Sequence, residues 1–333
     1  MNQDRAKFRV SRASAVASQG NRVEAASSAH HAVSGSVAVE VARQIGLSVA
    51  ASRKAALASA IHRVMARHGI DDAGIFRDRI GADDRLKEQL LDEATVRETH
   101  FFRDPAQFAL LRHTILPHRH PADAPARIWS AGCASGEEPY SLAILCDEDG
   151  HSAQIAASDI CRNALTKAAE AEYGDWSLRT MGEYLRRRYF LKCGSRYRLR
   201  RDLARRVRFT KISLGFDALP APERGLADFD LILCRNVLVY LDTDDVARIA
   251  RQLFACLADG GWLLTAPSDP PLWKHARLET SITSAGVVYR KPMRVLSERE
   301  DGIAGFSRMP STFPLGARQG IADASLHRKE FSR

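Results

Sequence analysis

The sequence predicts an α/β fold in which a parallel sheet is doubly wound, preceded by a small all-helical domain. From residue 126 onward, apolar runs of strand length alternate with helical segments, which is the pattern of successive βαβ units. Between residues 38 and 95, apolar residues recur at helical spacing and no strand pattern occurs. The first predicted strand runs into a loop of small residues at 132–136, and such loops let a ligand approach the backbone closely.

The composition is that of an ordinary globular protein with a basic charge balance. The 333 residues are 45% hydrophobic and 27% charged, and this length accommodates one large and one smaller domain. A formal net charge of +9 favours acidic partners, which include both acidic protein surfaces and nucleic acid. No apolar run reaches the ~18 residues of a membrane span, so we expect no membrane insertion.

The cysteines predict a reducing compartment. They are scattered without a CxxC pair, whereas metal sites and disulfide frameworks show tighter spacing. We therefore expect buried free thiols, a cytoplasmic protein and no metal site. The six positions are Cys133, Cys146, Cys161, Cys193, Cys234 and Cys256.

The same patterns divide the chain into four parts. Residues 1–37 are rich in Ala, Ser and Arg but lack the apolar block of a secretory signal, so we expect a disordered tail. A helical domain is predicted at 38–95 and the α/β domain at 96–295. Residues 296–333 are polar and lose periodicity, which predicts a second disordered tail.

A basic helix is predicted within the helical domain, over residues 52–68. Its apolar residues fall on one face, and Arg53, Lys54, Arg63 and Arg67 fall on the other. A face of this kind is either simply solvated or docks on an acidic partner helix.

The junction between the two domains carries two aromatic residues and a cation. Phe101 and Phe102 are adjacent and cannot share one helix face, so at least one should pack across the boundary or line a pocket. Arg103 beside them is either a carboxylate binder or a surface charge.

A small antiparallel subdomain is predicted inside the α/β domain, at about residues 173–206. Gly194-Ser195 is a hairpin turn signal, and apolar residues alternate with arginines after it. The stretch 186–208 is the most basic part of the chain. Three interpretations remain open for it: a solvated hairpin, a site for an acidic peptide, or a nucleic-acid patch.

The loop after the first strand ends in two carboxylates, Glu137 and Glu138, before Pro139 opens a helix. Proline suits the first helical turn and carboxylates suit the positive end of the helix dipole, so both acids could act as helix caps alone. An acidic loop is unsuited to a phosphate ligand. It favours a cationic or hydroxyl-rich one.

Further polar residues stand where neighbouring strands end. Asp159 follows the second strand about 20 residues beyond the small-residue loop, where dinucleotide folds hold ribose hydroxyls. Arg235 and Asn236 end a central strand, and such residues face the crevice in which ligands bind. Together with the acidic loop, they suit a ligand with a sulfonium or amine, a ribose and an adenine, which describes S-adenosylmethionine.

Four blocks of the chain resemble the signature blocks of CheR-type methyltransferases, in the same order and spacing, and the resemblance extends over about residues 38–292. The blocks are Thr95-Val-Arg-Glu-Thr-His-Phe-Phe-Arg-Asp104, Trp129-Ser-Ala-Gly-Cys-Ala-Ser-Gly-Glu-Glu-Pro-Tyr-Ser141, Ala157-Ser-Asp-Ile160 and Cys234-Arg-Asn-Val237.

The resemblance implies a fold and an activity. The fold is a Rossmann-like, doubly wound S-adenosylmethionine-dependent methyltransferase domain with a helical N-terminal domain and an inserted β-subdomain. The activity is methylation of glutamate side chains on chemoreceptors, which yields glutamate methyl esters and S-adenosylhomocysteine. The implied partners are the cytoplasmic helices of chemoreceptors, without nucleic acid, and we expect a monomer.

The resemblance also implies roles for individual residues around the cofactor. Thr99 and Arg103 would contact its methionine end, with Arg103 also orienting the acceptor carboxylate. The remaining positions would bind the cofactor from the loop to the adenine: Glu138 with Glu137 as a further candidate, Asp159 at the ribose, Ser213 and Leu214 near the adenine, and Arg235 and Asn236 closing the pocket.

Two departures from the family pattern allow a different function. Arg97 and Ser213 both stand where members of the family often have asparagine. The alternative is therefore a cofactor-binding regulatory or scaffold homologue without turnover. A nucleic-acid methyltransferase is disfavoured, because Cys234-Arg-Asn-Val237 replaces the Asn/Asp-Pro-Pro-Tyr type of motif expected after the fourth strand.

Overall fold

A computed structural model of the protein describes residues 33–96, 98–118 and 124–293. The predicted C-terminal tail, Arg97 and nearly all of the predicted N-terminal tail lie outside the described residues. In the described ranges, no helix combines the length and apolarity that crossing a bilayer would require.

Residues 33–96 form a helical layer with its own apolar core. Three of its helices begin at a side-chain cap, where Ser34, Asp72 or Asp83 accepts the backbone N–H three residues further on. The apolar faces pack into one cluster in which Ile61, Phe76 and other residues are fully buried. The helices are α1 (Gly35–Gln44), α2 (Lys54–Arg67), α3 (Ala73–Ile80) and α4 (Asp84–Ala94), with a 3-10 turn at Ala51–Arg53 before α2.

The rest of the described chain alternates strands and helices, as the sequence predicts. The strands are β1 (Ala126–Ala131), β2 (Ala153–Asp159), β3 (Glu172–Tyr173), β4 (Phe190–Cys193), β5 (Arg196–Leu199), β6 (Val207–Lys211), β7 (Phe229–Leu233), β8 (Leu257–Leu264), β9 (Glu279–Thr283) and β10 (Gly286–Arg290). The helices are α5 (Pro105–Leu110, continued by a π-helical turn at Leu111–Ile115), α6 (Glu137–Glu148), α7 (Arg162–Glu170), α8 (Glu183–Tyr189), α9 (Arg201–Ala204) and α10 (Thr243–Cys256).

The main sheet has the order β6-β2-β1-β7-β8-β10-β9. The first five strands of this order, β6, β2, β1, β7 and β8, pair in parallel. Strand β10 pairs antiparallel with both of its neighbours, β8 and β9. Ile128 and Trp129 in β1 belong to two different buried clusters, because successive side chains of a strand point to opposite faces. Both faces of the sheet are therefore covered, which confirms the predicted doubly wound α/β fold. The order reverses between β1 and β7, and open α/β sheets bind ligands at such a point.

The predicted antiparallel subdomain is present as a separate three-stranded sheet of order β3-β5-β4. Gly194 turns the hairpin with a φ of +62°. Phe101 is fully buried against this sheet, with its ring 4.8 Å from that of Tyr173 and 5.2 Å from that of Phe190. Phe101 therefore packs on the inserted sheet of the α/β domain, and neither phenylalanine belongs to the described apolar cluster of the helical layer, in contrast to the packing across the boundary that the pair suggests.

The structure differs from the sequence pattern at the end of α10. Asp259-Gly260-Gly261 is a typical signal for a helix end, but the helix ends at Cys256 and the glycines lie within β8. A Cβ on Gly261 would stand 2.7 Å from the backbone oxygen of Phe229 in the paired strand, where the register of β7 and β8 shifts. The glycines therefore serve a bulge and close strand packing instead of a cap.

Alanine substitutions of Gly136 and Gly150 should separate the destabilisation caused by steric crowding from that caused by a left-handed backbone conformation. Gly136 and Gly150 both have left-handed φ values, +92° and +70°, which any other residue adopts at a cost of about 1 kcal/mol. A Cβ on Gly136 would also lie 2.9 Å from the Cβ of Ala168, whereas one on Gly150 meets nothing within 4 Å. Calorimetry should show a larger drop in Tm for Gly136→Ala than for Gly150→Ala, by about 2–4 °C for each kcal/mol of crowding. Equal losses would contradict this packing of α6 on α7.

Candidate functional site

Two adjoining cavities open where β1, β2 and β7 end. The larger has a volume of about 150 Å³ and mainly aliphatic walls, and we call it the apolar cavity. The smaller has a volume of about 40 Å³ and is lined by charged and polar side chains, so we call it the charged cavity. Val96, Gly132, Ala134 and Asn236 belong to the walls of both. The cavities are therefore two ends of one cleft.

The small-residue loop is fastened to the end of β2. The backbone N–H groups of Gly132 and Cys133 both donate to the carbonyl oxygen of Ser158 at 2.8 Å. A Cβ on Gly132 would stand 2.4 Å from Val237 Cγ2, so only glycine lets the loop pass this close to the segment after β7. The loop floor of the cleft is thus rigid and narrow.

Four non-glycine residues beside the cleft adopt left-handed backbone conformations. They are Phe102 (φ 51°), Asp104 (φ 67°), Ala134 (φ 48°) and Asn236 (φ 57°). Such conformations cost roughly 1–3 kcal/mol each and concentrate at ligand sites, where the surrounding structure enforces them. The backbone around the cleft is therefore held in a shape that the chain alone would not favour.

Glu138 and Arg235 form a buried ion pair in the wall of the charged cavity. Arg235 Nη1 lies 3.0 Å from Glu138 Oε2, and the two side chains are 3% and 14% exposed. Ser130 Oγ donates to the other oxygen of Glu138 at 2.6 Å. Arg235 Nη2 donates to the backbone oxygen of Arg103 at 2.6 Å, while the buried Arg235 Nε has no partner among the described residues.

Glu137 lies beneath the loop and, within the described chain, lines neither cavity. Its side chain is buried and accepts from Ser135 Oγ at 2.8 Å and Ser177 Oγ at 2.9 Å. Burial raises the pKa of Glu137 above the ordinary glutamate value. The geometry thus assigns Glu137 to loop structure, in contrast to the cofactor contact expected for it from the sequence.

Thr99 and Arg103 lie in the wall of the charged cavity, as expected from the sequence. Arg103 Nη1 donates to the backbone oxygen of Glu98 at 2.6 Å, and its own carbonyl oxygen accepts from Arg235. Both the side chain and the backbone of Arg103 therefore help to shape this end of the cleft.

Asp159 lies at the apolar cavity and also ties the loop to β2. Its Oδ2 accepts the backbone N–H of Ala134 and its Oδ1 that of Cys161, both at 2.9 Å. The carboxylate at the end of the second strand is therefore positioned by two backbone donors at the edge of the cleft.

The other predicted residues also border the cleft. Ser213 and Leu214 line the apolar cavity, where Ser213 Oγ donates to the backbone oxygen of Gly46. Asn236 stands at the junction of the cavities, and its backbone N–H donates to Asp269 Oδ2 at 2.7 Å. Asp269 is a half-buried carboxylate that no sequence motif singled out.

Sequence reasoning missed one wall of the apolar cavity, which residues 46–57 of the helical layer supply. Leu47, Val49 and Leu57 line it, and Arg53 stacks on the ring of Tyr240 with its guanidinium carbon 4.6 Å from the ring centre. The sequence placed Arg53 on a basic face turned to solvent or to a partner. No periodic signal identifies this wall, because its residues meet the cleft only through the tertiary fold.

The predicted basic surfaces are partly neutralised inside the protein. Arg63 and Arg67 of α2 both bind Glu93 of α4. In the hairpin, Arg196 and Arg198 pair with Glu172. These pairs are exposed and screened by solvent, so they reduce the free charge of both surfaces without adding much stability.

The donor set of the cleft suits the ligand class that the sequence suggests. The charged cavity presents a carboxylate and guanidinium groups side by side, which fits the ammonium and carboxylate of an amino acid. The apolar cavity joins aliphatic walls to the carboxylate of Asp159, which fits a base and a ribose. The residues present therefore fit S-adenosylmethionine in two adjoining parts.

Comparisons with known proteins agree with this fit. The family model of the CheR methyltransferase, SAM binding domain, matches residues 97–281. Chemotaxis protein methyltransferase Cher2 of Pseudomonas putida is 29% identical over 259 residues, which cover 74% of this chain and 92% of that protein. Chemotaxis protein methyltransferase 1 of Pseudomonas aeruginosa is 30% identical over 258 residues, with the same coverage of 74% and 92%. A chemotaxis protein methyltransferase of Klebsiella aerogenes is 31% identical over 239 residues, or 68% and 79%.

Glu137→Gln should stabilise the protein increasingly as pH rises. Because burial raises the pKa of Glu137, the fold favours its protonated form, and the stability from this group is lost as pH rises through the folded pKa. Glutamine does not titrate and can still bond both serine hydroxyls. The Tm of the variant relative to wild type should therefore grow from about pH 4, near the ordinary glutamate pKa, to pH 7. A Tm difference that stays constant with pH would contradict the burial of this carboxyl.

Proposed function

The chain belongs to the CheR methyltransferase family, and we propose that it methylates glutamate side chains of chemoreceptor-like proteins with S-adenosylmethionine as methyl donor. The products are glutamate methyl esters and S-adenosylhomocysteine. One observation carries the proposal: Arg103 and the Glu138–Arg235 pair line a charged cavity that joins an apolar cavity bordered by Asp159. The relatives are chemotaxis protein methyltransferases by name, which supports the receptor class.

In this proposal, different residues of the cleft bind different parts of the cofactor. Glu138 binds the ammonium group of the methionine end, and Thr99 and Arg103 bind its carboxylate. Asp159 binds the ribose hydroxyls. Leu214 contacts the adenine, and Ser213 beside it supports the wall through its bond to Gly46.

Arg235, Glu138 and Asn236 together shape the end of the cleft that receives the methionine end of the cofactor in this proposal. Arg235 and Ser130 both bind the carboxylate of Glu138 and fix its position in the cavity wall. Asn236, next to Arg235, closes the cleft where the cavities meet. Glu138 and Asn236 then hold the methionine end of the cofactor against the loop floor at Gly132.

The chemistry needs placement more than acid or base assistance. Bound S-adenosylmethionine supplies an electrophilic methyl group on a sulfonium. A glutamate acceptor has an ordinary pKa of about 4.3 and is ionised at neutral pH, so no general base is required. Correct alignment of two reactants contributes up to roughly 7–11 kcal/mol to lowering a barrier. Arg103 is the residue we assign to orienting the acceptor carboxylate, in addition to its cofactor contact.

The acceptor in this proposal is a cytoplasmic helix of a chemoreceptor, methylated by a monomer in the cytoplasm. The alternative of a cofactor-binding scaffold without turnover gains no support from the cleft or from the relatives. Ser213, one of the departures that allows it, lies in the cavity wall with its hydroxyl bonded. The other departure, Arg97, lies outside the described residues.

Label transfer tests the proposed function directly. The purified chain is incubated with methyl-labelled S-adenosylmethionine and the cytoplasmic fragments of the host's chemoreceptors. Label that alkali releases as methanol identifies a glutamate methyl ester. Absence of base-labile label on every chemoreceptor fragment would overturn the proposal.

Arg103→Ala should weaken both cofactor binding and methyl transfer. It removes a charged donor from the charged cavity, and a hydrogen bond to a charged group is worth about 1.5–3 kcal/mol, or roughly ten- to hundredfold in affinity. Calorimetry measures the cofactor Kd and label transfer measures turnover. Arg112→Ala is the matched control, because Arg112 pairs with Asp149 and lies outside both cavity walls. Unchanged Kd and turnover in Arg103→Ala would remove Arg103 from the site.

A further inference from the structure

A histidine and an arginine beside the charged cavity have no part in cofactor binding as proposed above. His100 lies in the cavity wall. Its Nδ1 is 2.8 Å from Nη2 of Arg179. Arg179 is fixed in turn, because its Nη1 donates to the backbone oxygen of Trp176 at 2.7 Å and its guanidinium carbon lies 4.0 Å from the centre of the Trp176 ring.

The contact with Arg179 determines the tautomer of His100. A guanidinium group carries only donors, so Nδ1 must accept the hydrogen bond with its lone pair. A doubly protonated imidazole has no such lone pair, and His100 is therefore neutral with its proton on Nε2. No described residue is a hydrogen-bond partner of Nε2. His100 thus brings one neutral, unused donor to the charged cavity.

The charges around His100 keep it in this form. Burial lowers the pKa of His100, and the nearby guanidinium groups of Arg179, Arg103 and Arg235 lower it further, while Glu98 opposes them. The ordinary histidine pKa is about 6.5. His100 therefore remains a neutral donor throughout the neutral pH range.

We propose that His100 Nε2–H binds the carboxylate of the acceptor glutamate and that Arg179 is the positioning residue that fixes its tautomer. The inference rests on the proposed function and names a further contact for the acceptor. Arg103 is shared in that proposal between the carboxylate of the cofactor and that of the acceptor, so the acceptor carboxylate can take a further donor of its own. The exposed ring of Trp176, 67% accessible, then borders the path by which the acceptor approaches.

A neutral donor suits the nucleophile of this reaction. One carboxylate oxygen forms a bond to the methyl carbon while the carbon–sulfur bond breaks and its electron pair stays on sulfur. No proton moves, so the imidazole never needs to act as a base. A neutral N–H orients the second oxygen and withdraws less charge from the attacking one than an ion pair with arginine would, because the neutral imidazole carries no net positive charge.

Substitution of His100 tests the acceptor contact. His100→Phe keeps a planar ring without a donor and should lower kcat/KM for the chemoreceptor fragment about ten- to hundredfold, with the Kd for S-adenosylmethionine unchanged. His100→Gln retains an N–H donor and should recover part of that loss. His113→Phe is the matched control, since His113 is exposed and lies outside both cavities.

The pH profile tests the role of Arg179. In Arg179→Met the pKa of His100 should rise, although burial, Arg103 and Arg235 still hold it below its ordinary value of about 6.5. A protonated imidazole withdraws more charge from the attacking oxygen, so kcat should fall on the acid side of a new inflection below pH ~6.5. Wild type should lack this inflection, and so should the double variant Arg179→Met/His100→Gln. A merely structural loss would lower activity equally at all pH values, and that result would overturn the role of Arg179.

The outcomes separate this inference from the proposed function. Absence of base-labile label with wild type would remove the proposed function itself. An active wild type with unchanged kcat/KM in His100→Phe would overturn only the assignment of His100. If the Kd for S-adenosylmethionine rises in His100→Phe by the same factor by which kcat/KM falls, the histidine contacts the cofactor. That result would also overturn the assignment of His100 to the acceptor.

Discussion

The buried ion pair between Arg235 and Glu138 is the interaction on which the cleft depends. Arg235, at the end of β7, reaches Glu138 at the start of α6 and the backbone oxygen of Arg103 before α5. Three segments far apart in sequence therefore meet at one guanidinium group. Removing one partner of such a pair leaves an uncompensated buried charge, which costs about 3–5 kcal/mol. The charged cavity owes its shape to this pair, and the loop floor at Gly132 sets its depth.

Much of the site could be predicted because parallel strands of an α/β sheet end at the same edge. Residues that follow different strands in sequence, such as Glu138, Asp159 and Arg235, must then converge at the switch point. The alternation of strands and helices was enough to predict the doubly wound fold, and the hairpin at Gly194 followed from its turn residues. Local signals failed at Gly260 and Gly261, where close strand packing overrides their tendency to end a helix.

Features set by tertiary contacts could not be predicted. Glu137 and Glu138 are adjacent and chemically alike, and only the fold turns one beneath the loop and the other into the cavity. Glu93 neutralises arginines of α2 from a different helix, so the basic face was overestimated. The edge strand β9 has few apolar residues, since most of its side chains are exposed. It therefore lacks the alternating apolar pattern by which a strand is predicted from sequence.

Calorimetric titration of S-adenosylmethionine into wild type, Glu138→Gln and Glu137→Gln tests the central claim most directly. Glu138→Gln removes the carboxylate that binds the ammonium group and leaves Arg235 without its counter-charge, so cofactor affinity should fall about ten- to hundredfold. Glu137→Gln makes the same chemical change at the neighbouring residue, which lies outside the cavity. This variant should therefore bind the cofactor as wild type does. Equal affinities for all three proteins, or a larger loss in Glu137→Gln than in Glu138→Gln, would contradict the account.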